Sequence, residues 1–179
     1  MTSALPFPGL NTPAVGFEQP YEMLGACHDR VRRSLDLLQR LQAQVGRQGH
    51  DDSTRAAAAD VLRYFDLAAP LHHEDEELHV FPRLLAGGDP AMVALVARLQ
   101  DEHLRMAAAW AALRGPLTSW AGPAPAPAGS LQPLIAGFSA LYAAHLEDED
   151  GRVFPAAAAL TAPLEVAAMA AEMAARRRR

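Results

Sequence analysis

Two eleven-residue stretches of this chain are near copies of each other. HHEDEELHVFP at 72–82 and HLEDEDGRVFP at 145–155 agree at seven of eleven positions and start 73 residues apart. Each holds a histidine followed four residues later by a glutamate, His72 with Glu76 and His145 with Glu149. A fainter repeat, 75 residues apart, sets His28 in HDR against His103 in HLR. The chain therefore reads as two related hairpins, each offering one lone histidine and one His-x-x-x-Glu pair.

Residues four apart share one face of a helix, about 5–6 Å apart at Cβ, so each pair can grip one centre. Neutral imidazole together with carboxylate suits iron, zinc or manganese, and the lack of cysteine ligands argues against an iron–sulfur cluster or a structural zinc. Carboxylates also bridge two ions, and a two-metal site between two hairpins requires this kind of symmetry. A lone buried histidine is more often a hydrogen-bonded core residue than a ligand; the duplication is what favours ligation here.

These residues need helices to carry them. Hydrophobic positions at Leu24, Val31, Leu35, Leu38, Leu41 and Val45 predict a first helix over about 19–45, stopped by Gly46 and Gly49. A second begins after Asp51-Asp52-Ser53, whose side chains can cap free amides, and runs to Ala86. Asp89-Pro90 opens a third, ending near Gly115-Pro116. The fourth starts near Leu131 and reaches at least Val153. His28 and His72 each sit about 18 residues from their shared turn, and His103 and His145 each about 12–14 from theirs. All four histidines then fall in one layer.

The expected architecture is all-α. Residues 1–18 form a proline-rich irregular leader, and 19–160 form an up-down-up-down four-helix bundle with a Pro/Ala linker at 121–130. Residues 161–179 add a short, weakly amphipathic C-terminal helix over 163–176 and an arginine tail.

The ordered set His28, His72/Glu76, His103, His145/Glu149, in CHDRVRRSLDLL, HHEDEELHVFP, DEHLRM and HLEDEDGRVFP, resembles the hemerythrin family in its HHE cation-binding branch. The resemblance covers roughly 20–155. It implies a non-haem site of two iron ions, oxo- or hydroxo-bridged, with Glu76 and Glu149 as bridging carboxylates and the four histidines as further metal ligands. Oxygen-carrying hemerythrins place a second histidine four residues on in the third helix, where this chain has Ala107. They also place an aspartate where this chain has Asp150, while Glu149 suits the HHE pattern better.

Neighbouring residues receive plainer readings. Glu74, Asp75, Glu147 and Asp148 form a solvated acidic face, while Glu77 and Asp150 are candidate partners or alternate ligands. His73 faces away and is exposed. His79, seven after His72, lies on the same face as a supporting group or extra ligand. Tyr142 is a core residue or a hydrogen-bond donor to an iron-bound species, Cys27 a small core residue, and His50 a loop residue. Pro82 and Pro155 should kink or end their helices, with Phe81 and Phe154 closing the core beneath the metal layer. Arg176 to Arg179 read as a solvated tail.

Composition narrows the classes. Half of the 179 residues are hydrophobic, enough for a sizeable core, and alanine dominates that fraction. The net charge is −5, every basic residue is arginine, and eight of 21 acidic residues lie in two short runs. This distribution argues against nucleic acid as a partner. No stretch of about 18 apolar residues reads as a membrane span, and residues 1–20 do not read as a signal peptide. The single cysteine fits a reducing compartment, so a cytoplasmic bacterial protein is the expectation, with room for a homodimer. The expected function is binding or sensing of dioxygen, nitric oxide or peroxide at the metal pair, or iron storage or protection, with no catalytic residue assigned. The alternatives are a di-iron oxidoreductase turning over peroxide or nitric oxide, and a metal-free helical adaptor.

Overall fold

The chain begins its first helix at a proline, where a missing N–H costs nothing. The computed structural model describes residues 15–178 except 124, 126, 128 and 130. Most of the expected leader, four positions of the linker and Arg179 therefore lie outside the described residues. Helix α1 (Pro20–Gln48) stops at Gly49, whose φ of 78° favours a residue without Cβ. Its buried face carries Leu24, Val31, Leu35, Leu38, Leu41 and Val45.

The second rod is α2 (Asp52–Arg63), α3 (Ala69–Asp75) and α4 (Phe81–Gly87), joined through π-helical turns at Tyr64–Ala68 and Glu76–Val80. Asp51 caps it by accepting a hydrogen bond from the Thr54 amide at 2.8 Å. The third rod is α5 (Pro90–Ala121), capped by Asp89, which accepts from the Ala91 amide at 3.0 Å. The fourth comprises α6 (Gln132–Ala140), α7 (Ala143–Asp148) and α8 (Phe154–Ala159), with a π turn at Glu149–Val153. A fifth, α9 (Pro163–Arg176), follows. No strand occurs among the described residues.

One expected boundary is overturned. Gly115-Pro116 does not end the third helix, which continues to Ala121 with Pro116 inside it. Beyond the proline, Leu117 and Trp120 are fully buried in line with Leu113, and full burial of one such side chain contributes about 1.5–3 kcal/mol. The Thr118 and Ser119 hydroxyls donate to the carbonyls of Arg114 and Pro116. Packing therefore outweighs the hydrogen bond that proline removes, which costs about 3 kcal/mol.

Helices α1 and α5 each pack against α2 and α6, closing a ring of four rods, and α9 packs across α1. Two apolar clusters fill the ring. One gathers Leu35, Leu38, Phe65, Leu113, Trp120 and Phe138; the other gathers Leu24, Phe81, Leu99, Phe154, Met169 and Met173. Between them lies a polar layer. Among the described residues no helix is long and apolar enough to cross a membrane.

Candidate metal centre

That layer consists of six side chains, none more than 6 % exposed: His28 from α1, His72 from α3 with Glu76 directly after it, His103 from α5, and His145 from α7 with Glu149 directly after it. The structure thus brings all six sequence-singled residues to one level. Glu76 Oε1 lies 3.2 Å from His72 Nε2 and 3.7 Å from His28 Nε2, while its Oε2 lies 3.5 Å from His103 Nε2. Glu149 Oε2 lies 3.1 Å from His145 Nε2 and 3.3 Å from His28 Nε2, and its Oε1 lies 3.8 Å from His103 Nε2. Each carboxylate therefore spans histidines of both hairpins.

These approaches lack hydrogen-bond geometry. The Nε2 atoms of His28, His103 and His145, both ring nitrogens of His72, and all four oxygens of Glu76 and Glu149 are buried with no hydrogen-bond partner among the described residues. Buried polar groups are otherwise almost always satisfied, and an unpaired one costs about 1–3 kcal/mol. Six residues aiming orphaned nitrogen and oxygen donors at one another form the donor set a cation would complete. It contains no sulfur and mixes imidazole with carboxylate, which fits iron, zinc or manganese.

The opposite ring nitrogens are held. His28 Nδ1 pairs with Asp150 Oδ1 at 2.6 Å, His103 Nδ1 with Glu77 Oε1 at 2.9 Å, and His145 Nδ1 with Glu102 Oε2 at 2.9 Å. Carboxylates behind histidines fix the tautomer and aim Nε2 inward, as around metal ions generally. Asp150 is held in turn by Arg32 at 2.6 Å, Glu77 by Gln100 at 2.6 Å and Glu102 by Arg98 at 2.6 Å. Glu77 and Asp150 thus take the partner role. Glu102 was missed in the sequence, although it directly precedes His103; nothing in its spacing separates it from a surface acid.

Electrostatics follow from this packing. Burial disfavours a charged His28, yet Asp150, Glu149 and Glu76 overcome it and push its pKa up to about 11. Burial, with the neighbouring His28 charge, pushes His72 well below its ordinary value, and burial alone is the largest cause lowering His73 to about 3 and His103 to about 4. Burial and the Glu149 charge raise Glu76, whereas His145 and His28 hold Glu149 low against its own burial. Like charges in one dry layer are driven apart in this way.

Aromatic rings close the layer. Phe154 stacks on His28 with centroids 5.0 Å apart, and Phe81 on His103 at 5.6 Å. Pro82 and Pro155 neither end nor sharply break their rods; in each case a π turn absorbs the missing bond, the Phe81 and Phe154 amides donating five residues back to Glu76 and Glu149. Tyr142 packs among Phe65 and Phe138, and burial holds its hydroxyl protonated.

Other expectations fail. His73 is not exposed: it is half-buried, and its ring stacks on His103 at 4.0 Å with planes 11° apart. The rod carrying it borders both α1 and α5, so its inward arc is wide enough for two consecutive residues. His79 does not stay on the His72 face, because the intervening π turn adds a residue and rotates it outward, where Nε2 meets Glu172 Oε2 at 2.6 Å. Asp75 is not solvated. It is fully buried and bound by Arg176 Nη2 at 2.5 Å and Arg177 Nη2 at 2.6 Å, so the arginine run is not a free tail at these two positions.

The chain is 35% identical over 97 residues to an uncharacterized protein of Haemophilus influenzae (strain ATCC 51907 / DSM 11121 / KW20 / Rd), a match covering 54% of this chain and 56% of that protein. The chain thus matches little more than half that relative's length. The model of the hemerythrin HHE cation binding domain matches residues 19–157, which span every side chain of the polar layer, and the chain belongs to that family.

Proposed function

We propose that this protein holds a pair of iron ions in the polar layer and binds a diatomic or similarly small molecule there, dioxygen, nitric oxide or peroxide, in sensing, storage or protection. The carrying observation is the convergence of orphaned, buried nitrogen and oxygen donors from six residues between two apolar clusters. The first four rods act as an up-down-up-down bundle that positions them. His28 and His72 serve one side, His103 and His145 the other, and Glu76 and Glu149 reach both.

An iron pair held by these residues would supply one-electron chemistry and a place for the small molecule to bind. The chain's residues do the rest. Asp150, Glu77 and Glu102 each accept a hydrogen bond from the Nδ1–H of one imidazole, which leaves Nε2 of all three rings aimed into the layer. Phe81 and Phe154 exclude water from one end of the layer, and Tyr142 with its aromatic neighbours from the other. The single free thiol of Cys27 supports placement in a reducing compartment.

The test is elemental analysis of protein purified from iron-replete cells, with optical spectra of the reduced and air-exposed forms. Iron near two per chain and the charge-transfer absorption of a bridged ferric pair are expected. Protein without metal, whose melting temperature ignores chelator, would return the chain to a helical adaptor, since a bound ion must stabilise the fold by mass action. Steady turnover of hydrogen peroxide that disappears in His72→Ala would move the reading to an oxidoreductase.

A further inference from the structure

The donor set described above is lopsided in a way the duplicated sequence does not reveal. His28 and His72 stand edge to face at 4.8 Å on one side of the layer. His103 and His145 stand 4.9 Å apart on the other. A third ring joins the second pair. One ring nitrogen from each of His73, His103 and His145 can be chosen so that all three lie within 4.8 Å of one another, the same closeness that joins His28, His72 and Glu76. The internal repeat offers no counterpart, because the residue aligned with His73 is Leu146, which packs into the apolar cluster instead.

We propose that His73 is a ligand of the metal held by His103 and His145, which gives that ion three imidazoles and leaves its neighbour with two. The inference rests on the iron-pair reading above and adds a residue to it. Three observations converge on His73. It follows His72 directly, and consecutive helix positions diverge by about 100°, so one turn of α3 sends an imidazole to each side of the layer. Among the described residues no hydrogen bond or ion pair to another side chain accounts for its ring, whose packing partners are the other histidines, His72, His103 and His145. On the third rod the position one turn beyond His103 is Ala107, which brings no ligand to this side.

The competing explanation is that His73 is a flat lid, stacked on His103 for its surface rather than its lone pair. His73→Phe separates the two, because a phenyl ring preserves the stack and removes the nitrogen. Metal-stripped wild type, His73→Phe and His73→Ala would be titrated anaerobically with Fe2+, with bound metal counted after gel filtration. A parallel titration with Co2+ would read the ligand field optically.

Wild type should take up both equivalents. Both variants should bind the first normally and the second at least about ten-fold more weakly, with an altered cobalt band for that second ion. His73→Ala guards against a phenyl ring that does not fit. If either folded variant binds both ions with wild-type affinity and spectrum, His73 is a lid and the proposal is wrong. If wild type itself takes up no metal, the iron-pair reading falls first and carries this one with it.

Discussion

His72 allows a test in which the sign alone is diagnostic. Both of its ring nitrogens are buried without a partner among the described residues, and burial with the adjacent His28 charge keeps the ring neutral. In the metal-free protein each orphan costs about 1–3 kcal/mol, and leucine, of similar volume, would remove both. A near-isosteric core swap costs up to about 1.5 kcal/mol in shape mismatch. His72→Leu should therefore stabilise the metal-free protein by about 0.5–6 kcal/mol. For a chain of this size each kcal/mol moves Tm by about 2–4 °C, so a rise of about 1–24 °C is expected, in a core position where most substitutions lower it.

The order should invert once metal is added. Two ions, each at a thousand-fold excess over Kd, add about 8 kcal/mol to wild type, more than the substitution gains in the empty fold, and His72→Leu gains far less. Circular-dichroism melts of both proteins, stripped with chelator and then loaded with Fe2+ under argon, would show the crossing. A stripped His72→Leu that melts below stripped wild type would mean that the imidazole makes favourable bonds in the empty fold, and the argument from orphaned donors would be wrong.

Other consequences can be checked directly. Asp150→Asn, which weakens the hold on His28, should lower metal affinity about 10–100-fold with the helical spectrum unchanged, as read by competition with a chromophoric chelator; an unchanged affinity would remove Asp150 from the site. Replacing Arg176 and Arg177 by alanine strands the buried Asp75 carboxylate, and urea unfolding should show a loss of about 3–5 kcal/mol that Asp75→Asn largely recovers; a loss below about 1 kcal/mol would make the pairing a surface contact. Because His28 keeps its proton up to about pH 11 in the metal-free protein, an ion on Nε2 must displace it at neutral pH. Metal uptake should acidify a weakly buffered solution containing a pH indicator, and affinity should fall as pH falls. The same raised pKa stabilises the metal-free fold below the ordinary histidine value near 6.5, an effect lost as pH climbs towards about 11. Metal uptake without proton release would show that His28 is neutral beforehand.

What the sequence made legible follows from what is local and repeated. The His-x-x-x-Glu pairs at 72/76 and 145/149 declare themselves through a spacing that one helix enforces, and duplication lends weight to His28 and His103. Residues whose role depends on a distant rod stayed hidden. Asp75 looks like any acid in an acidic run until α9, only weakly amphipathic in sequence, brings Arg176 and Arg177 over it. Glu102 has its partner on another rod, His145. Pro116 sends a local stop signal that Leu117 and Trp120 override through contacts no window of sequence contains.

The Phe-Pro pairs show how a local defect serves the whole layer. Among the described residues each of the three π turns ends two positions before a proline, Pro70, Pro82 or Pro155, and in each the amide of the intervening residue reaches back five residues, to Tyr64, Glu76 and Glu149. Proline cannot donate to the carbonyl four residues back and collides with it; an inserted residue relieves both faults without ending the rod. The insertion also changes the register. Five residues complete a π turn where four fall slightly past an α turn, so Phe81 lies in line with Glu76, and Phe154 with Glu149. Each phenyl ring then seals the layer against a histidine of a neighbouring rod, Phe81 on His103 and Phe154 on His28. A regular helix would have left Val80 and Val153 in those positions and turned the rings away. The prolines are therefore part of how a carboxylate and its apolar seal come to share one face.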